Sequence, residues 1–431
     1  MYLFFPVLFH WRSVLFVCIG LGSSWSPVVS AAAYSLQSAI QIAQSQDPWL
    51  QKSLFQQASL VARSISAGTL PNPRIQLGVT NLPLDSFSFS QEGMSQLKLG
   101  ISQTFPRGDS RALQHTKLGQ LSEVQPLARA DRYAQVAVKV AHRWLEVFRS
   151  QHSMALIQQN RELFDHLLDL VQSSYASAAG PTLQHDVIRA QLALSRLDVR
   201  LSVWQHRHDA ELAKLSEWLL DPALSIQVPD DGTPLVSPID PVLLSRPSVS
   251  DRLLTHPKLL VLQQKLAVAK TDVALARQTD QPEWGLNASY GLRGNHRSDL
   301  FSIGLSVNIP LFSDVRPVHQ VQAAVAEQQA VVSEHTLALR HLQAGFASAK
   351  ADYVRLSERK ALFDDRLLHE LAELADAALT AYTNDNGSFT DVMRARIDVL
   401  NARIDAFQIE VDRLKALAQL HYFLVGATSD E

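Results

Sequence analysis

The sequence predicts a mainly α-helical chain of 431 residues, written as two homologous halves, that carries four β-strands of the transmembrane-barrel kind. Three observations lead there. Seven of the 17 glycines (Gly78, Gly93, Gly100, Gly285, Gly291, Gly294, Gly304) fall in two short windows, leaving long stretches between them nearly free of glycine. The same landmarks return in order at offsets of about 204 to 209 residues. Within the glycine windows the apolar period changes from about 3.6 to 2. Composition narrows the class further. With 39 Lys+Arg against 42 Asp+Glu there is no electrostatic case for nucleic acid. A single cysteine excludes a disulfide scaffold and a thiolate zinc cluster.

Residues 1–31 read as a secretory signal: Arg12, an apolar run from Val14 to Leu21, then small residues ending Val29-Ser30-Ala31-Ala32-Ala33. Cleavage after Ala31 or after Ala33 fits equally. Cys18 is the one lipidation candidate, but Val17 stands where a small residue is wanted, so Cys18 reads as part of the discarded peptide. The first repeat then spans 34–220, with a helix at 35–69, barrel strands within 74–105 and a helical hairpin at 109–220. Six prolines between Asp221 and Arg252 rule out a helix and make 221–250 an irregular connector. The second repeat spans 251–425, with a helix at 251–279, strands within 283–309 and a hairpin at 314–425; a short tail, 426–431, follows.

The repeat rests on paired segments. Asp47-Pro48-Trp49-Leu50 and Pro73 answer to His256-Pro257-Lys258-Leu259 and Pro282; Leu99 to Pro106 answers to Ile303 to Pro310. Tyr175, Gly180 and Asp186-Val187-Ile188-Arg189 return as Tyr382, Gly387 and Asp391-Val392-Met393-Arg394. Each long helix, near 67 residues, extends roughly 100 Å. Pro126 is expected to kink or interrupt the first. The helices that follow carry seams stepping by three and four, such as Leu194-Leu197-Leu201-Trp204 and Leu400-Ile404-Phe407-Val411, which should pack back on the preceding helix.

Each strand alternates apolar with small or polar residues. Leu99 and Ile101 face with Leu97 against Lys98 and Gly100; Trp284 and Tyr290 alternate with Gly285 and Gly291; Ile303 and Leu305 alternate with Gly304 and Ser306. Two soluble hairpins would show the same alternation. In an exported chain, four such strands read better as barrel strands, with Leu99, Ile101, Trp284, Tyr290, Ile303 and Leu305 toward lipid. Four strands cannot close a barrel, for which about eight is the practical minimum, and an open edge in lipid leaves backbone groups unpaired. The chain is therefore expected to share its barrel with copies of itself.

At this point the sequence resembles the TolC family of outer-membrane efflux channels. The resemblance runs from about Leu36 to Val425. It rests on Leu36-x-x-Ala39-Ile40 with Asp47-Pro48-x-Leu50, Pro71-Asn72-Pro73, Gln103-x-Phe105-Pro106-x-Gly108, and the Tyr…Gly…Asp-Val tips of both halves. It implies a homotrimer whose strands form a twelve-stranded barrel in the outer membrane of a Gram-negative bacterium. The helices would continue that barrel as an α-helical periplasmic tunnel meeting a periplasmic adaptor and an inner-membrane pump. It also implies a periplasmic gate at the hairpin tips, with Asp391 and its first-half counterpart Asp186 at the acidic ring. Arg394 and Arg189 stand where relatives often place a second acid, so the tips are expected to form neutral Asp–Arg pairs. Tyr382, with Tyr175 as its counterpart, matches a tyrosine that links neighbouring helices when the gate is closed.

No catalytic constellation or cofactor motif is present in the sequence. His206-Arg207-His208 has the wrong spacing for two ligands on one helix face. The expected function is a passive exit duct of a tripartite efflux pump. The Pro-Asn-Pro segment and the Phe105-Pro106-Arg107-Gly108-Asp109 exit favour the heavy-metal branch, with drug efflux and type I protein secretion as alternatives. A periplasmic coiled-coil adaptor is the non-channel alternative; it would show one hairpin rather than two. Ordinary helix N-terminal aspartates, favoured by the helix dipole, are the plain alternative to a gate.

Overall fold

A computed structural model describes residues 33–177, 183–220, 225–227, 234–240, 249–294, 296–310, 316–384 and 386–425. The expected signal, Cys18, the cleavage position after Ala31, Gly180, most of the connector and the tail lie outside the described residues. The helices are α1 (Leu36–Gln46), α2 (Pro48–Ala67), α3 (Ser110–Ser177), α4 (Gln184–Leu219), α5 (Val249–Leu254), α6 (Pro257–Arg277), α7 (Arg316–Leu362), α8 (Leu368–Thr383) and α9 (Phe389–Leu424). The strands of the main sheet are β1 (Arg74–Thr80), β2 (Gln96–Phe105), β3 (Glu283–Arg293) and β4 (Leu300–Asn308). A two-residue parallel bridge, Ala33–Tyr34 with Ser225–Ile226, ties the N-terminal segment to the connector.

Where one helix was expected at each repeat start, the chain makes two, broken at Asp47-Pro48 and at Thr255-His256. A residue before proline disfavours the α region, and proline suits the first position of the next helix. Asp47 then caps α2, accepting from the Trp49 N–H at 3.0 Å. His256 caps α6, its Nδ1 accepting from the Lys258 N–H at 3.2 Å. Conversely, α3 runs unbroken through Pro126. The neighbouring helices hold it on both sides of the proline: before it Thr271 Oγ1 donates to Gln120 Oε1 at 2.7 Å, and after it Arg129 Nη2–H donates to Gln57 Oε1 at 2.8 Å. That lateral packing opposes the roughly 3 kcal/mol a mid-helix proline costs. The second long helix, free of internal proline, is interrupted instead by a π turn at Phe363–Leu367, a widening that re-aims everything C-terminal to it.

The sheet is antiparallel in the order β1-β2-β3-β4, so strands from both halves pair at its centre, with Leu99 opposite Tyr290. β1, at seven residues, is the shortest of the four strands. Pro71 and Pro73 precede it, and Asn81 at φ 53° followed by Pro83 ends it, since proline cannot donate to the ladder and positive φ breaks it. Beside the sheet the helices pack in the order α2-α3-α6-α7, and farther along as α4-α3-α9-α8. One core cluster sits at the hub, around Trp144, Val140, Leu36 and Val411; a second lies toward the tips, around Ile157, Phe164, Leu197, Leu400 and Ile404. Of the seam residues named from the sequence, Leu194, Leu197, Trp204, Leu400, Ile404 and Val411 are buried, and Leu201 and Phe407 are half-buried.

Candidate functional sites: an amphipathic sheet and two hairpin tips

The strand registers sort the sheet into two faces. Ile75, Leu99, Ile101, Trp284, Tyr290, Ile303 and Leu305 lie on one face, and each is strongly exposed, Ile303 at 69%. No charged side chain lies on that face: the partners completing it are Leu77, Val79, Leu97, Gln103, Phe105, Leu286, Ala288, Leu292, Phe301 and Val307. In water such a face loses about 25 cal/mol per Å² left uncovered, so its natural solvent is apolar. The other face is built of cross-strand rows such as Gln76–Gly100–Ser289–Ser302 and Ser102–Asn287–Gly304, all small or polar. The six expected lipid-facing residues thus share one face. No helix among the described residues is long and apolar enough to cross a membrane, a statement that leaves strands untouched.

At the tips the matched aspartates both stand at the third residue of a helix. In α9, Ser388 is the N-cap: its Oγ accepts from the Asp391 N–H at 3.2 Å and donates to Asp391 Oδ2 at 2.8 Å. Arg394 Nη1 lies 3.8 Å from Asp391 Oδ1, both side chains well exposed. In α4 the N-cap is Leu183, which has no side-chain acceptor, so only half of the reciprocal arrangement forms. Asp186 Oδ2 accepts from the Leu183 N–H at 3.1 Å, and its carboxylate is approached by His185 Nε2 at 3.3 Å and Arg189 Nη1 at 3.9 Å. Asp186 is buried where Asp391 is exposed. The Asp–Arg pairs therefore exist within each helix, at the long end of an ion pair, and exposed pairs of this kind contribute about 0–1 kcal/mol.

The tyrosines diverge. Tyr382 packs into the tip cluster, its ring 5.7 Å from that of Phe389, whereas Tyr175 stays half exposed near the end of α3. Gly387 makes a close approach necessary here: a Cβ on it would sit 2.9 Å from the Tyr382 backbone nitrogen. His206, Arg207 and His208 gather no third ligand, and no group of three metal-ligating side chains occurs among the described residues. Asp364 pairs with Lys360 one turn away.

Sequence reasoning missed the anchors at the hub. Asp47 is buried, paired to Arg132 at 2.7 Å, whose guanidinium lies 5.8 Å from the Trp49 ring and 5.6 Å from that of Trp218. Burial works to raise the Asp47 carboxyl, but Arg132 and the Trp49 N–H together hold it below its ordinary value. Its counterpart His256 is fully buried, its Nε2–H donating to the Tyr422 carbonyl at 3.0 Å, and burial pushes the imidazole down. The Asp-Pro and His-Pro dipeptides signalled the caps; nothing local signalled partners 85 and 166 residues away.

A four-stranded sheet with one apolar and one polar face, joined to a helix of 68 residues, defines the fold. Residues 249–426 match the family described as outer membrane efflux protein. Protein CyaE of Bordetella pertussis is 30% identical over 190 residues, covering 40% of this chain and 37% of that protein. The pyoverdine export outer membrane protein OpmQ of Pseudomonas aeruginosa is 24% identical over 215 residues, covering 46% of this chain and 42% of that protein. Both matched stretches thus span less than half of those relatives. Among solved structures, CusC, described in terms of transmembrane channel formation, superposes with a TM-score of 0.77 at 14% identity, covering 91% of this chain and 92% of that one. The matching family model is that of outer-membrane efflux proteins, and OpmQ is an outer membrane protein.

Proposed function

We propose that the chain is one protomer of a homotrimeric, passive exit duct in the outer membrane, fed by an inner-membrane pump through a periplasmic adaptor. The observation that carries the reading is the sheet: apolar and uncharged on one face, small and polar on the other, with β1 and β4 as its free edges. α2 and α7 are the matching edges of the adjoining helix layer. Each edge helix exposes apolar side chains outward, Leu54, Phe55, Val61 and Ile65 on α2, and Val318, Val325 and Val332 at seven-residue spacing on α7. Joining the β4–α7 edge of one copy to the β1–α2 edge of the next is a head-to-tail contact, which closes into a ring when the rotation suits. At least two copies are needed to reach about eight strands, and the resemblance to the TolC family selects three.

In this reading the two homologous halves extend over 34–220 and 251–425, joined by the proline-rich 221–250 segment. The hairpin tips form the periplasmic entrance, with Asp391–Arg394 on the exposed surface and Asp186 set into the wall behind an exposed Arg189. The outward stripe Ile188, Leu192, Val199 and Val203 on α4 suits contact with a neighbouring protomer or adaptor. The segments that suggested heavy-metal cargo, Pro71-Asn72-Pro73 and Phe105 to Asp109, build the turns that lead into β1 and out of β2, so they speak for the fold and not for the cargo. The test is fractionation. The expected result is a trimer in the outer-membrane fraction whose electrophoretic mobility changes on heating; recovery as a soluble monomer would overturn the reading.

A further inference from the structure

The polar face of the sheet carries few charges: Arg74, Lys98, Glu283 and Arg293. Arg293 is engaged, its Nε–H donating to the Ser298 carbonyl at 2.6 Å and its Nη1–H to that of Gly93 at 3.3 Å, so it clamps the two loops at the far end. Glu283 and Arg74 lie at the helix end of the sheet, where β3 and β1 begin. Lys98 stands apart. It is exposed, with no ion pair and no side-chain hydrogen bond among the described residues. Its cross-strand partners are both glycine, Gly78 on β1 and Gly291 on β3. A Cβ at Gly78 would meet nothing within 4 Å, while Gln96 lies across Gly291. Glu283 is eight residues along β3 from Gly291, about 26 Å away. The loops beyond carry Asp85, Glu92 and Asp299 against Arg297; Asp299 is taken up by Tyr290 Oη and the Arg293 N–H, and Asp85 by Gln91.

We propose that Lys98 is a specificity-determining residue of the duct's outer mouth, where it favours anionic solutes over cations. The inference rests on the proposed duct, in which the apolar face meets lipid and the polar face therefore lines the pore. Around a closed ring every protomer presents one Lys98 at the same height, with glycine beside it and no carboxylate on its own row. An ammonium so placed raises the local concentration of anions and lowers that of cations, because a water-filled lumen screens it only over the Debye length. The cargo class that suits such an exit is an anionic or acid-bearing solute, rather than a free metal cation.

The test uses charged thiol reagents on the assembled protein. Gln76 is exposed on the polar face of β1, two residues from Gly78 and so diagonal to Lys98 at about 7–8 Å. In a Cys18→Ser background, Gln76→Cys is reacted in outer-membrane vesicles with membrane-impermeant methanethiosulfonates bearing either a sulfonate or a trimethylammonium group. The anion-to-cation rate ratio should exceed that of the Lys98→Gln variant by about threefold to sixfold in about 10 mM salt. It should fall below that of Lys98→Gln in Lys98→Glu, and be preserved in Lys98→Arg. Heat-modifiable trimer is checked for each variant. A ratio indifferent to residue 98 overturns the assignment while leaving the duct standing. A thiol at position 76 that neither reagent reaches in any variant overturns the pore-lining reading, and this inference with it.

Discussion

Acidification should loosen the hub at His256, and the sign follows from the geometry. In the fold both ring nitrogens are used: Nδ1 accepts from the Lys258 N–H and Nε2–H donates to the Tyr422 carbonyl. That fixes the neutral tautomer. A second proton would turn the cap acceptor into a donor facing another donor. Burial pushes the imidazole below its ordinary value, helped by Lys258 and opposed by the hydrogen bond to the Tyr422 carbonyl and by Asp131, which itself accepts from Tyr422 Oη at 3.0 Å. The unfolded chain takes up the proton as pH falls through about 6.5, and the fold does not. Stability from this group is therefore fully present above about pH 6.5 and is lost as pH falls toward the lower folded value. His256→Ala removes a cap of about 1 kcal/mol and leaves the Tyr422 carbonyl unpaired at about 1–3 kcal/mol. The expected loss is about 2–4 kcal/mol. His256→Asn restores the cap without the titration. The assay is denaturant unfolding of the purified protein in detergent, followed by helical circular dichroism at pH 7.5 and pH 5.5. His142 and His152 are also pushed down by burial, so His256→Asn should reduce the acid sensitivity rather than abolish it. An acid sensitivity identical in wild type and His256→Asn would refute the reasoning.

Other expectations concern the two faces, the other anchor and the tips. Ile303→Arg puts a charge on the apolar face at about 2–4 kcal/mol near the bilayer midplane, and should abolish the heat-modifiable form in outer-membrane fractions. Ser302→Arg, one residue away on the polar face, should be tolerated; equal damage from both would show the faces wrongly assigned. Asp47→Ala removes a cap and strands Arg132 between two tryptophans, at about 3–5 kcal/mol if the pair behaves as buried. Asp47→Asn keeps the cap and should lose clearly less in the same unfolding assay. Gly387→Ala drives a Cβ toward the Tyr382 backbone and should change single-channel conductance in planar bilayers; unchanged closed-state conductance would count against a gate at this tip.

Much of the architecture was legible because it is written in periods. The switch from 3.6 to 2 at Ile75 and again at Trp284 marked the strands, and alternation alone put Leu99, Ile101, Trp284, Tyr290, Ile303 and Leu305 on one face. Helix breaks were misread where a local rule met tertiary packing. Pro126 obeyed its neighbours, and the π turn at Phe363–Leu367 has no residue that announces it. Asp186 and Asp391 looked equivalent in sequence, yet one is buried and the other exposed, because Ser388 supplies a cap that Leu183 cannot. Lys98 was visible as a polar position in an alternating run. Its isolation was not, since that depends on glycines brought beside it by registers spanning both halves.

The order β1-β2-β3-β4 also dictates when this protein is finished. Each helical hairpin folds from neighbouring sequence, but β2 meets β3 across about 190 residues, a loop closure that costs about 4–5 kcal/mol before any ladder bond forms. The packing of α3 on α6 and α9 already brings the halves together, but in water the paired sheet would still expose its apolar face, so the ladder itself gains little until lipid covers it. The helices are thus free to form early in the periplasm, while the two halves stay unjoined at the sheet. In the duct reading, arrival at the membrane becomes the step that completes the sheet, making completion of the fold contingent on reaching the right compartment.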